Sequence, residues 1–294
     1  MTIASCYISP EGVVFGADST TTYTLDNGNH YFNHAQKMFE VGENATLGIV
    51  TWGLGSLVTE SYRTLIAKLA DQFTAVPPAS VADAATQWID LFWAAYQGSP
   101  AISGSVAEVQ RLHGLQPYIP TDPTAAGTRT AYEETLYNNL RNLLVVGFCI
   151  GGYVPSNREP MAFEIVIDPL SAKPVPTPVH GHRFWGAPNM INRLLFGCDD
   201  NLLGSILSSG KWTGTDVELL AIVQQHAISH PPLPIRDAID FTHACIMSTI
   251  KALKFSSFSQ ICGGPVEIAV ITTDRKFRWV RHKPWDTAIT EGEI

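Results

Sequence analysis

The sequence is poor in charge and has no concentrated run of either sign. Charged residues make up 16% of the 294, and 19 Lys and Arg stand against 27 Asp and Glu, a net charge of −8. An acidic chain without a basic cluster lacks the electrostatic footprint of a nucleic-acid-binding protein, so no nucleic-acid partner is expected. No apolar run approaches the ~18 residues of a membrane-spanning helix, so no membrane partner is expected. The start, Met1-Thr2-Ile3-Ala4-Ser5, has neither the basic residues nor the long apolar stretch of a signal peptide. The cysteines Cys6, Cys149, Cys198, Cys245 and Cys262 are scattered and form no C-x-x-C pair. Neither a disulfide framework nor a zinc site is expected, and a reducing cytoplasm fits best. The pairs Gly151-Gly152 and Gly263-Gly264 lack the spacing of a phosphate-binding loop. No internal repeat and no low-complexity linker divides the chain, so a single domain over 1–294 is expected.

Hydrophobic residues account for 45%, a globular composition in a chain long enough to bury a large core. Residues 2–9 and 13–17 are β-prone and flank the turn Pro10-Glu11-Gly12. A polar stretch from Ser19 to Ala35, with a turn at Asn27-Gly28, leads to a second hairpin of 36–41 and 45–52. Val58, Tyr62, Leu65, Leu69 and Phe73 then fall on one helical face, and Ser80 caps a second helix to about Gln97. Residues 98–128 have no sustained period beyond a short helical piece at 106–112, and 131–140 is helical again. Strands are expected at 143–150, 162–168 and 175–180. Helices follow from near Pro188, Thr215 and Pro234, and a closing hairpin of 265–272 and 276–280 turns at Asp274. Blocks of strands and blocks of helices predict an α+β architecture.

The chemistry gathers near the N-terminus. Thr2 becomes the first residue if Met1 is removed, which a small second residue favours. Asp18 ends the second strand and Lys37 opens the third. An N-terminal Thr can be a nucleophile with its own α-amine as base, since that amine titrates near pH ~8. A neighbouring ammonium lowers the amine pKa, and a carboxylate holds the ammonium in place. Singly, each residue has a plainer reading: Thr2 a strand residue, Asp18 a turn cap, Lys37 a surface charge, Gly53 the start of a helix. His226 and His230 have helical metal-ligand spacing but no third ligand, so no metal is expected. His180-Gly181-His182 is treated likewise. Cys6 reads as a buried thiol, and Cys262 as either a packing residue or a neighbour of the site.

Thr2 to Asp18 is sixteen residues without a gap, with Gly12-Val13-Val14-Phe15-Gly16-Ala17 between. Lys37-Met38-Phe39-Glu40-Val41, then Leu47 to Gly55, then Gly263-Gly264 and the strand 265–272 follow in order. In this order and spacing the chain resembles the proteasome β subunits and related bacterial peptidases, the N-terminal-nucleophile hydrolases, over about 2–75 and 234–281. The resemblance implies a four-layer α/β/β/α sandwich with two antiparallel sheets between helical layers, and sets 98–138 apart as an insertion. It implies a threonine-type peptide or amide hydrolase acting through an acyl-enzyme on Thr2. Asp18 and Lys37 tune the nucleophile, Gly53 N–H faces the oxyanion, and Thr21 and Thr22 bind substrate, Thr21 shaping a pocket for small or medium uncharged side chains. It implies a peptide or protein substrate, a homo-oligomeric ring, and no cofactor; it names no ATPase partner. Ala187 stands where the family has a supporting Ser, and Ser259 and Cys262 where it has an Asp and a Ser. A small-amide hydrolase or transpeptidase on the same site, and a weak or inactive ring or scaffold protein, are the alternatives.

Overall fold

The structure, a computed structural model, describes residues 2–25, 28–257 and 262–283. It is mixed α/β with antiparallel sheets and divides into two compact units. The first is drawn from 1–37, 181–270 and 278–294; the second from 38–180 and 271–277.

The first unit opens with β1 (Ile3–Ser9) and β2 (Gly12–Ala17), joined at the expected turn. Both strands are buried along almost their whole length, which is why each is a nearly unbroken run of apolar and small residues. Their sheet is completed by β10 (His182–Gly186), β11 (Glu267–Thr272) and β12 (Arg275–Arg281), in the order β10-β1-β2-β11-β12. The polar stretch after Asp18 forms a separate two-stranded ribbon, β3 (Thr21–Leu25) with β4 (Gly28–Phe32); the expected turn residue Asn27 lies outside the described residues.

Helix α8 (Ile235–Lys254) covers β1 and β2. Ala238, Thr242, Cys245, Ile246, Thr249, Ile250 and Leu253 are its buried face, close to the stripe of Ile235, Ala238, Ile239, Thr242, Ile246, Thr249, Ile250 and Leu253 that helical periodicity in the sequence predicts. The helix sits tightly on the strand at Gly16, where a Cβ would lie 2.6 Å from Thr242 Cγ2 and 2.7 Å from Ile246 Cδ1. Asp237 in its first turn and Lys251 and Lys254 in its last complement the helix dipole. The expected helix from Pro188 is two, α5 (Asn189–Phe196) and α6 (Asp200–Ser208). Gly197, at φ +77°, ends the first, and the Asp199 carboxylate caps the second through Leu202 N–H at 2.8 Å. Helix α7 (Asp216–Gln225) starts from a capping box of Thr215 and Glu218. It ends before His226, so His226 and His230 do not share a helical face and the i, i+4 argument for them fails.

The second unit holds β5 (Met38–Glu40), β6 (Leu47–Gly53), β7 (Val146–Gly152), β8 (Met161–Ile167) and β9 (Thr177–Pro178), paired in that order. β7 begins later than the expected 143, because α4 (Ala131–Leu144) runs on through Leu144, and β9 is shorter than expected. Helices α1 (Tyr62–Ala75) and α2 (Val81–Gly98) supply one core with this sheet. Phe148 meets Trp88 and Phe92 edge-on, with ring centroids 5.0 and 4.6 Å apart. Val58 is not part of α1: it is exposed at φ +66°, and the helix starts only after its cap Ser61.

Residues 98–128 are more ordered than the sequence suggests. Pro100 starts α3 (Pro100–His113), where a missing N–H costs nothing, and α3 packs along α4. Between them the buried Arg129 donates to Glu134 at 2.6 Å and to the carbonyls of Leu112 and Leu115, and lies over the Tyr137 ring. Among the described residues no helix is long and apolar enough to cross a membrane.

His182, on the edge strand β10, gives a pH signature. Its ring lies among Tyr7, Phe184 and Phe241, with Nε2 3.1 Å from Ser5 Oγ. Burial, helped by His230, pushes its pKa down to about 3. An unfolded His titrates near ~6.5. The unfolded chain therefore binds this proton first, and stability falls as pH drops from ~6.5, by up to about 1.4 kcal/mol per pH unit. His182→Phe is expected to flatten this acid loss in urea unfolding between pH 7 and 4.5. An unchanged pH slope in the variant would remove His182 as its source.

Candidate active site

Thr2 immediately precedes β1, and Asp18 immediately follows β2, so the antiparallel pairing of Ala4 with Ala17 brings them side by side. Ile3 and Asp18 exchange main-chain and side-chain hydrogen bonds: Asp18 N–H donates to Ile3 O at 3.2 Å, and Ile3 N–H donates to Asp18 Oδ1 at 3.0 Å. The carboxylate is completely buried. Lys37 Nζ reaches the same Oδ1 at 2.6 Å and also donates to Thr20 O at 2.5 Å. The second oxygen, Oδ2, accepts from Gly263 N–H at 2.9 Å and Thr20 N–H at 3.3 Å. Four donors thus satisfy one buried anion, the condition under which such a charge is tolerated.

Lys37 is 6% exposed. Burial pushes its pKa below that of an ordinary lysine, while the charge of Asp18 and the hydrogen bond to it resist the shift. Thr2, 7% exposed, lies at the amino end of the same strand. Its carbonyl is packed against Gly186, the last residue of β10, which pairs with Ile3. A Cβ on Gly186 would stand 1.9 Å from Thr2 O, and its φ of +82° already favours glycine.

Cys262 is also here, buried beside Gly263. Burial and the Asp18 charge push its thiol up to about 12, with Lys37 opposing, so at neutral pH it is a protonated wall and not a thiolate nucleophile. Ala187 follows Gly186 into the apolar cluster of Ile3, Ile191 and Ile246 and brings no hydroxyl. Ser259 lies outside the described residues. Gly53 belongs to the second unit, at the end of β6, with φ +84°; a Cβ there would lie 2.3 Å from Val145 O.

The ribbon β3–β4 builds a cavity of about 750 Å³. Its register pairs Thr21 with Phe32 and Tyr23 with His30, which places all four on one face, and that face lines the cavity with Asn33, His34 and Ala35. Thr22, paired with Tyr31, is on the other face. Asn33 Oδ1 accepts from Thr20 Oγ1 at 2.9 Å, which links the cavity wall to the residue that both Asp18 and Lys37 hold. The structure thus joins Asp18, Lys37 and the residue next to Thr2, and sets Thr21 on a more aromatic wall than a threonine alone predicts. The sequence alone gives no sign of the roles of Thr20, Asn33 and Gly186; a glycine on β10, far along the chain from Thr2, carries no local signal that it packs on the Thr2 carbonyl. Gly263, noted only for its place in a glycine pair, is the main-chain anchor of Asp18. Among the described residues no group of His, Cys, Asp and Glu could hold a metal ion.

No protein-family model matches the chain, and no curated protein does. Solved structures do. The fold is similar to that of a mutant Anbu protein from Hyphomicrobium sp. strain MC1, with a TM-score of 0.52 over 99% of this chain and 92% of that one, at 12% identity. Anbu from the same strain matches with a TM-score of 0.50 over 96% of this chain and 86% of that one, at 11% identity. Anbu, described as an ancestral β-subunit, from Yersinia bercovieri matches with a TM-score of 0.46 over 100% of this chain and 93% of that one, at 13% identity. At these identities the likeness is one of fold.

The contact at Gly186 is directly testable. Gly186→Ala is expected to destabilise the chain by about 2 kcal/mol or more, through the clash with Thr2 and the left-handed backbone. Gly104→Ala, in α3 with open space around it, is expected to gain up to ~1 kcal/mol. Chemical denaturation of both variants checks this; a neutral Gly186→Ala would contradict the packing described.

Proposed function

We propose that the chain is a threonine-type peptide or amide hydrolase that uses Thr2 after loss of Met1. The observation that carries the reading is the fully buried Asp18 carboxylate, bonded at once to Lys37 and to the N–H next to Thr2. Thr2 Oγ attacks the substrate carbonyl while the Thr2 α-amine takes the hydroxyl proton. The nearby Lys37 charge favours the free base of that amine, and Asp18 keeps Lys37 in place. The proton passes to the leaving amine, and water then hydrolyses the acyl-enzyme. Gly53 N–H is the oxyanion donor in this reading, and the Thr22 main chain binds the substrate strand.

Thr21 borders the acyl-side pocket. Because Tyr23 and Phe32 share its face, the preference is for bulky apolar side chains in place of the small ones that Thr21 alone implies. The four-layer α/β/β/α sandwich and the single domain over 1–294, with 98–138 as its insertion, belong to the same proposal. They are supported by helices packing on each unit's sheet and by neither unit being a continuous stretch of chain. So does a homo-oligomeric ring, supported by apolar side chains exposed on α5, α6 and α7, among them Leu194, Phe196, Leu202, Val217 and Leu220.

The test joins intact mass with a fluorogenic peptide panel. The purified chain is expected to lack Met1, to cleave best after Phe, Tyr or Leu, and to lose ~10³-fold or more of its rate in Thr2→Ala without loss of fold. Full activity in Thr2→Ala would place the nucleophile elsewhere. A folded wild type that lacks Met1 and cleaves nothing would favour a scaffold role, to which the missing hydroxyl at Ala187 would contribute.

A further inference from the structure

A second ion pair, built on a buried carboxylate, stands behind the first. Glu267, at the start of β11, has no exposed surface. Its Oε1 lies 2.6 Å from His282 Nδ1 and its Oε2 2.9 Å from Lys283 Nζ. The Lys283 ammonium also donates to Ala35 O at 3.0 Å, two residues before Lys37. From Ala35 the hydrogen bonds run on. Ala35 N–H donates to Ser19 O at 2.9 Å, Ser19 N–H to Gly263 O at 3.0 Å, and Gly263 N–H to Asp18 Oδ2, whose partner oxygen holds Lys37. The bonds thus circle back to the loop where they began, and every member lies in the first unit.

A buried ion pair is a weak source of stability, since apolar residues of the same volume often serve as well or better. This pair instead fixes the approach of the segment that delivers Lys37. It also adds a cation to the charges that Lys37 meets: the Asp18 carboxylate raises its pKa and Lys283 lowers it, while the Cys262 thiol facing it is neutral at neutral pH.

We propose that Lys283 and Glu267 are a positioning pair for the Thr2 site, holding the 35–37 segment in place and setting the charge around Lys37. The inference rests on the hydrolase reading only for its effect on rate; its effect on Lys37 is independent of that reading. Lys283→Met removes a cation facing Lys37, so the Lys37 titration midpoint rises. Glu267→Gln removes the anion and leaves the cation, so the midpoint falls. A pair that only braces the fold would shift neither, or both in one direction. Lys283→Arg keeps the charge and the donor, so the midpoint is retained.

The experiment is an NMR titration of the full-length chain with isotope-labelled lysine side chains, in the wild type and these variants, the Lys37 signal being assigned by its loss in Lys37→Met. Alongside it, the rate of Thr2 acylation by a β-lactone is followed by intact mass. Opposite shifts for Lys283→Met and Glu267→Gln, with acylation slowed roughly 10-fold or more in Lys283→Met and kept in Lys283→Arg, are expected. An unmoved Lys37 midpoint, or shifts of one sign, would overturn the inference. If Lys283→Met does not fold, Glu267→Gln and Lys283→Arg still decide it. If the wild type is never acylated, the hydrolase reading fails, while the titration still decides the positioning.

Discussion

Burying a carboxylate costs several kcal/mol unless charge and hydrogen bonds replace the water it loses. Asp18 has no exposed surface, and each requirement it imposes fixes a different part of the first unit. Its need for main-chain donors ties the start of β1 to the end of β2 through Ile3, and both to the segment before β11 through Gly263. Its need for a counter-charge draws in Lys37 from a loop nineteen residues away. Lys37 then reaches Thr20, and Thr20 reaches Asn33 at the wall of the ribbon cavity. Remove the anion, and Gly263 N–H, Ile3 N–H and a buried ammonium would all be left without their common acceptor.

The same centre relates fold to chemistry. Thr2 would be an ordinary strand residue but for its neighbour: Ile3 N–H is bonded to an anion that also holds an ammonium. Tight backbone approach does the rest. Gly186 lets β10 close on the Thr2 carbonyl, and Gly16 lets α8 lie directly on β2. Neither glycine touches substrate in the proposed reaction, yet both fix where Thr2 sits. The apolar cluster of Ile3, Val14, Ile246 and Ile268 gives these strands a rigid backing.

Much of this was legible in the sequence where local signals are strong. The β1–β2 turn, the Ser80 cap, the α8 stripe and the gapless distance from Thr2 to Asp18 all rest on short-range periodicity or spacing. What escaped depends on contacts between distant segments. Only the 106–112 part of α3 is legible, because Pro100, Gly104 and the serines weaken propensity in its first half, and packing along α4 overrides that. Val58 matched a helical face by spacing, but the capping of Ser61 set the start of the helix later. The ribbon β3–β4 shows in the sequence only as a polar stretch around a turn, because its strands are five residues each and polar residues are mixed with the aromatics along both. The Glu267–Lys283 pair has no sequence signature, since its members acquire meaning only against Ala35.

The central claim is that Asp18 and Lys37 act as one unit on which the site is built. A double-mutant cycle on folding stability, with Asp18→Asn, Lys37→Met and the two combined, measures this directly. Each single change leaves an uncompensated buried group and is expected to cost about 3 kcal/mol or more, whereas the double variant leaves neither member of this pair charged and is expected to cost clearly less than the sum, with a coupling of about 1.5 kcal/mol or more. Simple additivity of the two single losses would show that the carboxylate and the ammonium are independent, and would contradict the account.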